Sequence, residues 1–113
     1  MKHPITDKAQ VSIDFPDKFY VGSFGRESSL DVTADDHGVH IKLERNDDQT
    51  RRVGFHLHYY LFADLIASVG EALSASRAMD EPQRAALEDA ARILTKAAKA
   101  RRSRAGKAKA SRG

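Results

Sequence analysis

Between Arg51 and Ala75 the hydrophobic period of the chain changes once. Val53, Phe55, Leu57 and Tyr59 alternate with polar or small residues, the pattern of a half-buried strand over Arg51–Tyr59. From Leu61 onward the apolar residues fall at Leu61, Leu65, Ile66, Val69 and Leu73, the stripe of an amphipathic helix. Upstream, Val39, Ile41 and Leu43 alternate with His40, Lys42 and Glu44, and Leu30-Asp31-Val32-Thr33 alternates likewise. Phe19 to Phe24 forms an aromatic-rich run that predicts the first core strand, with Gly22 marking a bulge or a close backbone contact. Gly25-Arg26-Glu27, Asp35-Asp36-His37-Gly38 and Asn46-Asp47-Asp48 separate these runs. In the second of these turns Gly38 is expected to supply a positive φ.

This order predicts an α+β domain, ββββα, over residues 18–77: a four-stranded antiparallel meander followed by a helix. Residues 1–17 are a polar lead-in with one alternation, Val11, Ile13 and Phe15, able to pair as an edge strand and punctuated by Pro4 and Pro16. The apolar sheet face would be Leu30, Val32, Val39, Ile41, Leu43, Val53, Phe55 and Leu57, with the helix laid across it. One helix covers four strands poorly, so either a homodimer or a second helix is expected to complete the core. A second helix is predicted over residues 80–100. Asp80 is its N-cap, Pro82 suits its first turn, and Gln83 stands at the capping-box position. Its stripe of Leu87, Ala90, Ala91, Leu94, Ala97 and Ala98 is mostly alanine. Residues 101–113 contain no apolar residue larger than Ala and predict a disordered basic tail.

Charge divides the chain more sharply than its net of +3 suggests. Residues 96–113 hold eight Lys or Arg and no acid, so residues 1–95 keep eleven basic residues against all sixteen acidic ones. A basic tail on an acidic domain points to a polyanionic partner or to the tail folding back on its own domain. With no cysteine, disulfides and thiolate metal sites are excluded. No apolar run is long enough to span a membrane, and the first residues lack the apolar core of a signal peptide. A cytoplasmic protein is expected, nucleoid-associated if the tail binds DNA.

Three groupings could carry chemistry. Lys99, Arg101, Arg102, Arg104, Lys107, Lys109 and Arg112 are suited to non-specific, salt-sensitive phosphate contact, as in nucleoid proteins with basic tails. The polar sheet face would bring Lys42, Arg52, His56, His58 and Tyr60 together, with Arg51 beside them, as a cationic and aromatic surface for single-stranded nucleic acid. The same face would hold His40, His56 and His58 as a set of imidazoles for a metal ion, with Asp31 or Glu44 as further ligands. The remaining histidines are His3 and His37. No nucleophile elbow, phosphate-binding loop or dinucleotide fingerprint is present, so no catalysis and no cofactor are expected.

The segment Gly54-Phe55-His56-Leu57 followed by Phe62 and Leu65, with Phe24 and Leu30-Asp31-Val32 before it, resembles the single-stranded-DNA-binding coactivators of the positive cofactor four type. It is more loosely similar to the Pur-type repeat, and the likeness covers about residues 19–75. The resemblance implies a homodimer with packed helices whose sheets form a nucleic-acid groove. The leading expectation is therefore a small, non-catalytic nucleic-acid-binding accessory protein. A protein-interaction module and a histidine metal-binding domain are the alternatives.

Overall fold

The computed structural model describes residues 2–47 and 49–112, without the side chains of residues 101–112. Among the described residues the secondary structure is α+β: six strands, all paired antiparallel, and two helices. The strands are β1 (Lys2–Pro4), β2 (Ala9–Phe15), β3 (Lys18–Phe24), β4 (Ser28–Ala34), β5 (Gly38–Asn46) and β6 (Thr50–His58), and the helices are α1 (Tyr59–Ala75) and α2 (Glu81–Arg112). Residues 1–71 form one compact unit and residues 72–113 a second.

The strands make two sheets. One has four strands in the order β1-β4-β5-β6, and the other is the β2-β3 hairpin. Three members of the expected meander are therefore present, but the first is replaced. Residues 18–24 pair with residues 9–15 across the Pro16-Asp17 turn, and the short β1 takes the expected place beside β4. Pro16 ends β2 in a reversal instead of isolating it, because proline's fixed φ suits a turn position. β3 and β4, which the expected meander would pair as its first hairpin, are not paired with each other. Gly25–Glu27 closes a tight turn, with the Ser28 N–H donating to Gly25 O at 2.9 Å, and there the chain crosses from one sheet to the other. Gly22 lies in unbroken register opposite Val11, so it marks no bulge.

Gly38 also departs from expectation. No glycine among the described residues has positive φ. What position 38 requires is space: a Cβ there would overlap Leu57 O and lie 2.8 Å from His58 Cα. The start of β5 thus lies directly against the end of β6, closer than any side-chain-bearing residue permits.

The apolar interior is small. Among the described residues Phe24, at the end of β3, is the one apolar side chain that is buried. Val39, Ile41, Leu43, Val53 and Leu57 on one face of the large sheet are half-buried. Arg45, on the same face, ties the two sheets together: its Nη1 donates to Ser23 O at 3.2 Å, and its Nε lies 2.6 Å from Asp47 and 3.5 Å from Glu27. The expected cover by helix is not seen. No residue of α1 is buried, and Leu61, Leu65, Ile66 and Val69 are all exposed. The helix begins at Tyr59, two residues before its stripe, so Tyr59, the last residue of the expected strand, belongs to α1.

α2 starts as its sequence predicts. The Gln83 N–H donates to Asp80 Oδ1 at 2.8 Å and the Asp80 N–H to Gln83 Oε1 at 3.0 Å, a reciprocal capping box. Its backbone stays helical to Arg112, where composition predicts an end near residue 100 and disorder after it. Alanine, lysine and arginine are all strong helix formers, which accounts for the continuation.

Candidate functional site

Register decides which of the candidate side chains share a surface. Pairing of His40 with His56, Gly38 with His58, Lys42 with Gly54 and Glu44 with Arg52 puts His40, Lys42, Glu44, Arg52, His56 and His58 on one face of β5 and β6. The sequence reading of that face holds for His40, His56, His58, Lys42 and Arg52. Arg51 belongs to the other face, directly across from Arg45, because adjacent residues of a strand point to opposite sides. Tyr60 is not on the sheet at all. It is the second residue of α1 and is 92% exposed.

The polar face has two different ends. At one, Glu44 is surrounded by nitrogen donors: Arg52 Nε at 2.9 Å, Asn46 Nδ2 at 3.0 Å and Lys2 Nζ at 3.3 Å. The Asn46 and Lys2 hydrogen bonds, with the Lys2 and Arg52 charges behind them, hold the Glu44 carboxyl below its usual range. Glu44 is thereby engaged as an ion-pair centre, and Arg52 is occupied by it.

At the other end the carboxylate is Asp35, in the β4–β5 turn. Its Oδ1 accepts hydrogen bonds from the His37 N–H at 2.8 Å and the Gly38 N–H at 3.0 Å, which fixes the side chain on its own turn. Its Oδ2 lies 2.8 Å from His40 Nε2, and its Oδ1 lies 3.9 Å from His56 Nε2. The hydrogen bond with His40, then those from His37 and Gly38, hold the Asp35 carboxyl far below the ordinary carboxylate range. The Tyr59 hydroxyl donates to Asp35 O at 2.7 Å, so the first residue of α1 pins the same turn.

The imidazoles form a chain along this end. The His40 and His56 rings are stacked, 3.9 Å apart and 8° from parallel. His58 lies 4.9 Å from His56, and His37 stacks on His58 at 6.2 Å. Four of the five histidines thus gather around one turn, while His3 is on β1. Asp31, Thr33, Asp35, His40, Lys42 and His56 line an open hollow of about 550 Å³ together with Ile41, Gly54 and Phe55.

Asp35 is the member that sequence reasoning missed. Of the acids considered beside the histidines, Glu44 is engaged elsewhere, and Asp31 lines the hollow across from Lys42. The signal for Asp35 was its place five residues before His40 across a tight turn, a spacing that folds a turn acid back over its own hairpin.

The basic residues of α2 behave differently along its length. Arg92 donates to Glu88 at 2.9 Å and Asp89 at 2.7 Å, so the first half of the helix neutralises itself. Lys96 and Lys99 share one face with Thr95 and Ala100. The side chains of Arg101, Arg102, Arg104, Lys107, Lys109 and Arg112 lie outside the described residues. No helix among the described residues is long and apolar enough to cross a membrane. Compared with known proteins, the chain matches no family model, no curated protein and no solved structure.

Proposed function

We propose that the protein is a non-catalytic, homodimeric nucleic-acid-binding protein whose contact with nucleic acid is made by the basic half of α2 and not by the sheet. The observation that carries this reading is charge placement. Every Lys and Arg from residue 96 to 112 lies in α2, no acid follows Asp89, and Arg92 satisfies the last two acids before that run. A run of basic residues with no acid among them releases condensed counterions when it meets phosphates, which makes binding strong at low salt and indifferent to base sequence. The sheet is the weaker candidate, since Arg52 is engaged by Glu44 and Arg51 is on the opposite face.

Dimerisation rests on α1. Leu61, Leu65, Ile66 and Val69 are exposed, and the helix carries acids only, Asp64 and Glu71, among its charged residues. Helices that bind anionic membrane surfaces are rich in Lys and Arg, which α1 lacks. Its apolar stripe suits a matching stripe from a second copy, the self-complementary arrangement of a two-fold dimer.

The test is fluorescence anisotropy of the full-length protein with a labelled duplex and the corresponding single strand, across a salt series. Replacing the eight basic residues of positions 96–112 by Gln is expected to weaken binding about a hundredfold or more at low salt and to flatten the salt dependence. Arg52→Gln is expected to leave both unchanged. Absence of binding by the wild-type chain at low salt, or unchanged binding by the Gln variant, would refute the reading.

A further inference from the structure

We propose that Asp35, His40 and His56 form a binding site for a divalent transition-metal ion, held by one carboxylate oxygen and two imidazole nitrogens with a coordination position open to the adjacent hollow. The proposal does not depend on nucleic-acid binding, which involves other residues.

One ligand atom from each of the three side chains lies within 4.8 Å of the other two. Ligands placed 2.0–2.1 Å from a tetrahedral ion are about 3.3 Å from one another. His40 Nε2 lies 2.8 Å from Asp35 Oδ2 and His56 Nε2 lies 3.9 Å from Asp35 Oδ1, so both imidazoles stand near that spacing from the carboxylate, each from a different oxygen, and closing on one ion takes a small adjustment. A proton shared between Asp35 and His40 satisfies two of the three groups. His56 Nε2, at 3.9 Å from Asp35, is beyond hydrogen-bond reach. An ion satisfies all three.

The carboxylate is already oriented. The His37 and Gly38 amides hold Asp35 Oδ1, and the Tyr59 hydroxyl holds the carbonyl of the same residue. Outer partners of this kind lower the reorganisation that ligation requires. Gly38 contributes by lying against β6, where any side chain would force the turn away from His56. The stacked rings do not yet aim their nitrogen lone pairs at one point, so binding requires one imidazole to turn. His56, with 37% of its side chain exposed, has room to do so.

Two imidazoles and a carboxylate favour zinc and its neighbours over calcium or magnesium, which take oxygen ligands almost exclusively. Three protein ligands leave a fourth position, which faces the hollow lined by Asp31, Thr33 and Lys42. Among the described residues Lys42 is the one fixed cation lining that hollow, and Asp31 lies across from it in β4. A water molecule or a small anion reaching toward Lys42 fits that position.

The experiment is equilibrium dialysis and calorimetric titration of the untagged full-length chain with Zn²⁺, repeated with Co²⁺ for its visible absorption. One ion per chain is expected. His40→Ala and His56→Ala should each weaken binding about tenfold or more, and their combination should reduce it to background. His3→Ala and His58→Ala should leave binding unchanged. Should His40→Ala unfold by circular dichroism, His40→Gln and Asp35→Asn carry the same test. The Asn side chain keeps an oxygen for the turn amides while removing the charged ligand. A wild-type chain that takes up no stoichiometric ion would overturn the proposal. So would a double variant that still binds one ion.

Discussion

The two ends of the β4–β6 polar face are built around the same chemical group and come to opposite uses. Glu44 and Asp35 are both carboxylates with several partners, and both are held in the ionised form. Around Glu44 the partners are an ammonium, a guanidinium and an amide N–H, all of them hydrogen-bond donors that offer the site no lone pair for a metal ion. Around Asp35 they are backbone amides and imidazoles, and an imidazole can exchange its proton for a metal. Cationic side chains close a carboxylate into a structural knot. Imidazoles leave it available. The same difference gives Arg52 an acidic partner within the protein, while the acidic partner of His40 and His56 is Asp35.

The comparison can be broken most severely at Gly38. Gly38→Ala drives a Cβ into β6 and is expected to cost about 1–3 kcal/mol, the usual range for overpacking. Thermal unfolding followed by circular dichroism should show a melting temperature lower by several degrees, and zinc uptake should fall with it because Asp35 moves from His56. An unchanged melting temperature would mean the strands do not approach as closely as described. Next in size is the α1 stripe. Leu65→Lys should convert a dimer to a monomer by light scattering, and a wild-type monomer would count against the second-copy reading. Smaller again is the α2 cap: Asp80→Ala is expected to cost about 1 kcal/mol, since it removes the capping box at the helix start.

The smallest effect is acid sensitivity. Asp35 and Glu44 both have folded-state carboxyl pKa values below their unfolded ones. Each therefore contributes stability that is complete above the unfolded value and is lost as pH falls below it toward the folded one. Denaturant midpoints measured downward from neutral pH should decline through the region below about pH 4. Asp35→Asn and Glu44→Gln should each reduce the slope of that decline. A slope unchanged by either substitution would show that the hydrogen bonds described for that carboxylate do not persist in solution.

Much of the polar face was legible in the sequence because strand alternation is a strict period of two. It put His40, His56 and His58 on one side and the apolar residues on the other, although Val32 and Phe55 of that apolar face are exposed and not core, and it also requires Arg51 to part from Arg52. The capping box was legible because Asp80 and Gln83 act through local bonds. What was not legible was long-range choice. Residues 18–24 could pair with β2 or β4 on pattern alone, and nothing in their composition selects the Pro16 turn over the Gly25 turn. Gly38 looked like a turn glycine for the right position and the wrong reason, since its constraint comes from Leu57 and His58, far away in sequence. Asp35 looked like a turn former, which it is. Its second role, over His40, depends on a side chain folding back across the hairpin.

The difference between the two carboxylate ends is tested most directly by a zinc titration of the ¹⁵N-labelled full-length chain, followed residue by residue. The account predicts saturable shifts confined to Asp35, His37, Gly38, His40, His56 and their immediate neighbours, with Lys2, Glu44, Asn46 and Arg52 unmoved. Shifts centred on Glu44, or changes spread along the chain with no saturation, would contradict it.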